Sequence, residues 1–105
     1  MLIAVGQRFI AAGNEQAWES LWQKLNTFAE SQSGFISARL LRSKEHQSKY
    51  VLVNEWEQED DWSRYFHEPE VQELMQQSYR LFSGPPLQEW FVTIAETGPT
   101  PQPER

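Results

Sequence analysis

Four short segments rich in apolar residues are predicted to be β-strands, in which successive side chains point to opposite faces with a period of two. These segments are Leu2–Ile10, Phe35–Arg42, Lys49–Glu57 and Leu87–Ala95. Two other segments repeat apolar residues every three or four positions, which is the spacing of one face of an α-helix. The first follows Asn14, a good N-cap residue, and the second starts near Asp60 and is interrupted by Pro69. The predicted order of elements is therefore β-α-β-β-α-β.

This order predicts an α+β fold of the ferredoxin-like type, in which one antiparallel sheet carries its helices on a single face. The strands nevertheless have apolar residues on both faces, as with Ile3 and Val5 opposite Leu2 and Ala4. An apolar sheet face without a cover is best explained by burial against a partner. The chain has no segment left to build a third layer, so we expect an isologous homodimer in which two sheets pack into a dimeric α/β barrel.

The 105 residues suit one domain, which we place at residues 1–96. Residues 97–105 contain three prolines and no apolar anchor, and they are expected to form a disordered or extended tail. No apolar run approaches the roughly 20 residues that span a bilayer, and the N-terminus has no basic start typical of a secretory signal. These observations predict a cytoplasmic protein that does not contact a membrane.

Charge and composition narrow the possible functions. The formal net charge of -6 opposes binding to a phosphate backbone, so no nucleic-acid partner is expected. The absence of cysteine excludes disulfides and a thiolate nucleophile. The two histidines, His46 and His67, lack the paired spacing of metal ligands, so no metal site is predicted. Five tryptophans in so short a chain indicate a core or a pocket built from flat rings.

Several short segments together resemble the antibiotic biosynthesis monooxygenase family of dimeric α/β-barrel proteins. The segments are Gly6-Gln7-Arg8-Phe9, Gly34-Phe35, Leu40-Leu41-Arg42, Tyr50-Val51-Leu52 and Glu55-Trp56-Glu57 followed by Trp62. The resemblance covers about residues 2–95. It implies a homodimer, a pocket between the sheet and the helices of each subunit, and the oxidation of a small aromatic or quinol-like ligand by oxygen without a cofactor.

One branch of that family degrades haem with an Asn on the first strand, a Trp on the second helical segment and a haem-ligating His. The matching positions of this sequence hold Gln7, Tyr65 and Met75, so the chain departs from the branch at all three. Haem binding or degradation is kept as an alternative, because a thioether or His67 would have to replace the usual ligand. A further alternative is a non-catalytic dimeric module whose pocket is filled by aromatic rings.

Two residues are candidates for catalysis. His67 lies beside Glu68 and Glu70 and could act as a general base with carboxylate support, although a surface turn is an alternative interpretation. Gln7 could face the pocket from the first strand and orient a substrate, or be an ordinary polar strand residue. Its neighbour Arg8 falls on the opposite face and is expected in an interface or a surface ion pair.

Five residues are candidates for substrate binding: Trp22, Asn54, Tyr65, Phe66 and Met75. Asn54 interrupts an apolar strand, and a buried amide must be hydrogen-bonded, either to the protein or to a ligand. Rings at Tyr65 and Phe66 precede the Pro69 break, where cavities often open. For Trp22, as for Trp56 and Trp62, packing in the core is the alternative interpretation.

Deletion of residues 97–105 is expected to leave the molar mass in solution at twice that of one chain, because the predicted interface lies on the sheet. Light scattering after size-exclusion chromatography measures this. A monomeric truncated chain beside a dimeric full chain would contradict the interpretation of the tail.

Overall fold

The computed structural model describes residues 1–98 and confirms the predicted order of elements. Residues 99–105, most of the predicted tail, lie outside the described part. The elements are β1 (Leu2–Phe9), α1 (Glu15–Glu30), β2 (Phe35–Arg42), β3 (Lys49–Trp56), α2 (Glu59–Phe66), α3 (Pro69–Tyr79) and β4 (Leu87–Val92). Pro69 divides the second helical segment into two helices and occupies the first turn of α3, where a missing N–H group is tolerated.

Within residues 1–98 the strands form one sheet in the order β2-β3-β1-β4, and every neighbouring pair is antiparallel. This is the ferredoxin-like α+β architecture expected from the sequence. On the central strand β1, Gly6 pairs with Leu52 of β3 and with Gln88 of β4. Because side chains alternate across a strand, the buried residues Ala4, Gly6 and Arg8 share one face of β1. That face lies beneath the helices.

The start of α1 differs in detail from the prediction. Asn14 does occupy the N-cap position, but its side chain makes no capping hydrogen bond. Its φ and ψ of -101° and 7° are not the extended values that aim a cap side chain at the first turn. Instead, Glu15 accepts a hydrogen bond from the backbone N–H of Gly13 through Oε1 at 3.0 Å.

The core has two neighbouring clusters on the helix side of the sheet. One joins α1, α2 and α3 around Trp56 of β3, which is 1% exposed. The other surrounds Trp18 of α1, whose ring meets Tyr50 edge-on at a centroid distance of 6.3 Å. Trp56 is thus a core residue, as one interpretation of the sequence held.

The second face of the sheet carries apolar side chains with no helix over them in the described part of the chain. Ile3, Val5 and Val53 form its centre, since they alternate with the residues that face the helices. Leu41 and Phe91 flank it and remain 41% and 45% exposed.

No helix among residues 1–98 is long and apolar enough to cross a membrane.

Gly34 sets the entry into β2 against the first turn of α2. Its φ of 87° lies in the left-handed region, and its carbonyl accepts the N–H of Glu57 at 2.8 Å. A Cβ at this position would overlap the carboxylate of Asp61. Gly13 has a similar φ of 94°, but a Cβ there would meet no atom within 4 Å. A comparison of alanine substitutions at the two glycines therefore separates the cost of backbone strain from the cost of the close contact with Asp61.

Gly34→Ala is expected to reduce the free energy of unfolding more than Gly13→Ala does. Both changes place an L-residue in the left-handed region at about 1–2 kcal/mol. Gly34→Ala also forces Asp61 aside, which adds about 1–3 kcal/mol, typical of overpacking. Urea denaturation of the two variants measures the difference. Equal losses would show that the contact between Gly34 and Asp61 does not constrain α2.

Candidate functional site

A cavity lies between the helix-covered face of the sheet and the three helices. Its lining comes from all the helices and from three strands: Arg8, Trp22, Leu25, Asn26, Ala29, Leu52, Asn54, Trp62, Tyr65, Phe66, Met75 and Gln88. The empty space between these side chains, counted out to the protein surface, is about 490 Å³. The centre of a water-sized molecule can reach about 40 Å³ of it. A buried water needs roughly 10–15 Å³ of such space, so the cavity as it stands has room for a few waters.

The structure brings all five predicted substrate-binding residues to this one cavity. Trp22 comes from α1, Asn54 from β3, Tyr65 and Phe66 from α2, and Met75 from α3. They are separated by up to 53 positions in sequence, as for Trp22 and Met75 (75 minus 22), and meet because the helices pack on the same sheet face. Their position fits ligand binding, and their role stays a prediction.

Gln7, one of the two catalytic candidates, is not on this cavity. It belongs to the other set of alternating residues on β1 and lies on the open sheet face, in a shallow groove with Val5, Val51 and Phe91. The expectation that Gln7 faces the pocket is therefore wrong. The reason is the period of two along a strand, since the helices cover the face that carries Ala4 and Gly6.

His67, the other catalytic candidate, is also absent from the cavity lining. It is an exposed residue at the C-terminal end of α2. Its Nδ1 lies 2.7 Å from the carbonyl oxygen of Ser63, which can only accept, so Nδ1 carries a proton there. The position fits the surface-turn interpretation of this residue and places no base in the cavity.

Arg8 occupies the place that Gln7 was expected to take. The side chain is only 8% exposed, contrary to the expected interface or surface ion pair. Its Nη1 donates to the carbonyl oxygens of Gln7 and Leu87 at 3.0 and 2.9 Å, and its Nη2 donates to Oε1 of Gln88 at 3.3 Å. Burial lowers the pKa of the Arg8 guanidinium, because the charged form loses hydration.

The smallest residues of β1 are the sequence feature that indicates this site. Ala4 and Gly6 share the face of Arg8, and their short side chains leave room above the central strand. A Cβ on Gly6 would come within 2.8 Å of Nη1 of Arg8, so the guanidinium lies directly over this glycine. The small residue Gly6 thus makes room for the guanidinium of Arg8, which lines the cavity.

Two amide side chains on the cavity wall are not used by the protein. Asn54 is half-buried, and its side chain has no hydrogen-bond partner among residues 1–98, so it does not form the structural bridge that was the alternative interpretation. The Oδ1 atom of Asn26 is buried and equally without a partner in the described chain. Buried polar atoms normally have a partner, so these amides are suited to a ligand or to water.

Aromatic rings form the outer part of the wall. Trp62 stacks on Phe66 with a centroid distance of 5.0 Å and an interplanar angle of 15°. Trp90 of β4, which is 43% exposed, meets Trp62 edge-on at 5.1 Å. Deeper inside, the Tyr65 hydroxyl donates to the carbonyl of Leu25 at 3.2 Å, and burial raises the pKa of this phenol. Tyr65 is therefore a neutral wall residue rather than a base.

A family model described as "Antibiotic biosynthesis monooxygenase" matches residues 1–77, almost three quarters of the chain. The chain belongs to this family. The matched part includes β1, α1, β2, β3 and α2 completely, so it contains every element of the cavity except β4 and the end of α3. The resemblance found from short segments is thus confirmed. No curated protein matches the sequence significantly.

Solved structures share the fold over nearly the whole chain. SnoaB, a cofactor-independent oxygenase from Streptomyces nogalater, superposes with a TM-score of 0.80 at 22% identity, covering 94% of this chain and 98% of its own. A protein from Caulobacter crescentus CB15, provisionally assigned to the same family, gives 0.84 at 14% identity, with 90% of each chain covered. A conserved protein from Methanosarcina mazei Go1 gives 0.82 at 12% identity, with 86% and 89% covered. At these identities the likeness concerns the fold.

The cavity of this family member does not fit a haem. A macrocycle is far larger than the part of the cavity that the centre of a water-sized molecule can reach, which is about 40 Å³. Met75 and Tyr65 are the possible axial ligands on the described lining, but the Tyr65 hydroxyl already donates to the carbonyl of Leu25, and His67 is outside the lining. Among residues 1–98, no group of three His, Asp or Glu residues is arranged to hold a metal ion.

Haemin titration is expected to give no saturable change in the Soret band, because the rings that narrow the cavity would have to leave the core. The matched control is Met75→Leu, which removes the thioether at nearly constant volume. Saturable binding that is lost in Met75→Leu would contradict this expectation and would identify the axial ligand.

Proposed function

We propose that the protein is a monooxygenase of the antibiotic biosynthesis monooxygenase type that oxidises a small aromatic, quinol-like substrate with oxygen. The observation that carries this proposal is the cavity with aromatic walls, in which Oδ1 of Asn26 is buried without a hydrogen-bond partner and the Asn54 amide has none among residues 1–98. Mostly apolar pockets with a few unpaired polar groups are typical of small-molecule sites. Membership of the family supports the reaction class.

The proposed reaction needs no external reductant. A quinol and O2 give a hydroxyquinone and water: one oxygen atom enters a ring C–H bond, and the other takes up two hydrogens as water. The four electrons that reduce O2 all come from the substrate, which is oxidised to the quinone level. The residues named here would hold the ring between aromatic side chains, and the Asn54 amide would hydrogen-bond a substrate oxygen.

We also propose that the protein acts as a homodimer through the open sheet face. The centre of this face is apolar at Ile3, Val5 and Val53, and its flanks at Leu41 and Phe91 stay more than two-fifths exposed in one chain. Pairing two such faces buries them without any additional segment. The molar mass of the full chain, the same readout used for the tail deletion, tests this proposal.

A non-catalytic dimeric module is the second candidate, and one observation favours it. The volume that a water-sized molecule's centre can reach, about 40 Å³, is small for even a single aromatic ring, so a ligand would require wall side chains such as Trp62 or Phe66 to move. Both rings are half-buried and belong to α2, a helix of 8 residues. Substrate turnover separates the two candidates.

Methylhydroquinone under air is expected to be converted to a hydroxylated quinone by the wild-type protein. With ¹⁸O2, one labelled atom should appear in the product and one in water. Asn54→Ala should lower kcat/KM by about ten-fold or more, because a ligand oxygen loses its donor in a buried site.

Asn14→Ala is the matched control, since this side chain makes no hydrogen bond and lies away from the cavity. It should keep the wild-type rate. A reaction no faster than autoxidation without protein, across a series of quinols, would reject the monooxygenase and leave the non-catalytic module.

A further inference from the structure

The cavity contains a buried positive charge without a carboxylate partner among residues 1–98. Arg8 is 8% exposed, yet the ion pairs found within residues 1–98 are Arg42 with Glu19 and Arg64 with Asp61. Burial of the Arg8 charge is costly, because the guanidinium loses more by desolvation than it gains from its Coulomb interaction with Tyr79. Its retention next to a cavity indicates that the charge is used there.

The hydrogen bonds of Arg8 leave part of the guanidinium free. A guanidinium has five N–H donors, and the three acceptors found are the carbonyls of Gln7 and Leu87 and the amide oxygen of Gln88. At least two donors, including the one on Nε, therefore have no acceptor in the described chain. All three existing acceptors are neutral, so none of them balances the charge.

The surrounding residues hold the guanidinium in the cavity floor. It lies over Gly6, in the row where β1 pairs with Leu52 on one side and Gln88 on the other. Leu52 and Gln88 line the cavity together with Arg8. The bonds to β4 keep the side chain from swinging out to solvent. The free N–H donors therefore belong to a guanidinium whose position is fixed inside the aromatic-walled cavity.

We propose that Arg8 is an anion-recognition residue, and that the ligand of this cavity is a planar aromatic molecule carrying an oxyanion, either a carboxylate or an ionised phenol. An arginine is suited to this task because its planar donors match two oxygens or one charged oxygen, while flat side chains accept the ring. The inference deepens the proposed function, on which it rests for the cavity as the substrate site, by naming the charge of the substrate.

The competing explanation is that Arg8 only fastens the edge strand β4 to β1. Its bonds to Leu87 and Gln88 do serve that purpose. If Arg8 had only this structural role, its effect on binding would be the same for every ligand, and the protein would show no preference for a charged one. The preference between an anion and its neutral isostere therefore decides between the two roles.

Calorimetric titration of the wild-type protein with benzoate and benzamide makes this comparison with single-ring molecules, which require the least movement of the cavity walls. Benzoate is expected to bind about ten-fold more tightly or better, as for a hydrogen bond to a charged group. 4-Nitrophenol, measured on both sides of its own pKa, tests the phenolate: tighter binding of the ionised form shows that a phenolate is accepted. Benzamide at the same two pH values is the control for the protein.

Two variants test the residue itself. Arg8→Gln should abolish the preference for benzoate while changing the affinity for benzamide by less than about three-fold. Gly6→Ala keeps the charge but displaces the guanidinium, since the new Cβ would lie 2.8 Å from Nη1, and it should reduce the same preference. Arg80→Gln removes one charge from an exposed residue outside the cavity and should leave the preference intact. Circular dichroism melting checks that each variant is folded.

Equal binding of benzoate and benzamide, no binding of any probe, or a preference that survives in Arg8→Gln would overturn the inference. If Arg8→Gln does not fold, the result for Gly6→Ala decides. Anion preference without turnover of any quinol would reject the proposed function alone. Turnover of quinols by a protein with no anion preference would reject the role of Arg8 alone.

Discussion

The pairing of β1 with β3 on one side and β4 on the other is the constraint on which the rest of the molecule depends. With both neighbours antiparallel and in register, each residue of β1 is committed to one of two faces. Ala4, Gly6 and Arg8 face the helices, while Ile3, Val5 and Gln7 face away. A shift of one residue would exchange these sets, and it would place Arg8 on the open face and remove the polar group from the cavity.

The helix side of β1 combines two requirements that oppose each other. A well-packed core gains from large apolar side chains, but Ala4 and Gly6 are small and Arg8 is charged. Stability is supplied on either side instead, by the cluster around Trp56 and by the cluster around Trp18. The small residues at the centre of the sheet thus give up core packing where Arg8 lines the cavity, as is common where a protein holds a ligand.

The two faces of the sheet have separate roles in this interpretation. The helix side holds the cavity with its unpaired amides, and the open side presents apolar residues suited to a second copy of the chain. Family membership is established over residues 1–77, whereas the three solved structures named above support the fold alone, since their identities are 22% or lower. The chemistry of the site therefore rests on the side chains of this chain, with Asn54 and Arg8 as the groups that can distinguish one ligand from another.

The sequence by itself determined the elements and their order, because local periodicity and breakers such as Pro69 act over a few residues. It also indicated five of the residues that line the cavity, since rings and an amide at Trp22, Asn54 and Tyr65 stand out from their surroundings. It did not determine which face of β1 lies under the helices: both faces are apolar near the start, so the pattern was ambiguous, and Gln7 was preferred to Arg8. Only the tertiary structure decided that choice, through the packing of α1 and α2, and it likewise placed His67 at an exposed helix end. Burial of a charge depends on residues distant in sequence, here Leu87 and Gln88, and no local pattern contains them.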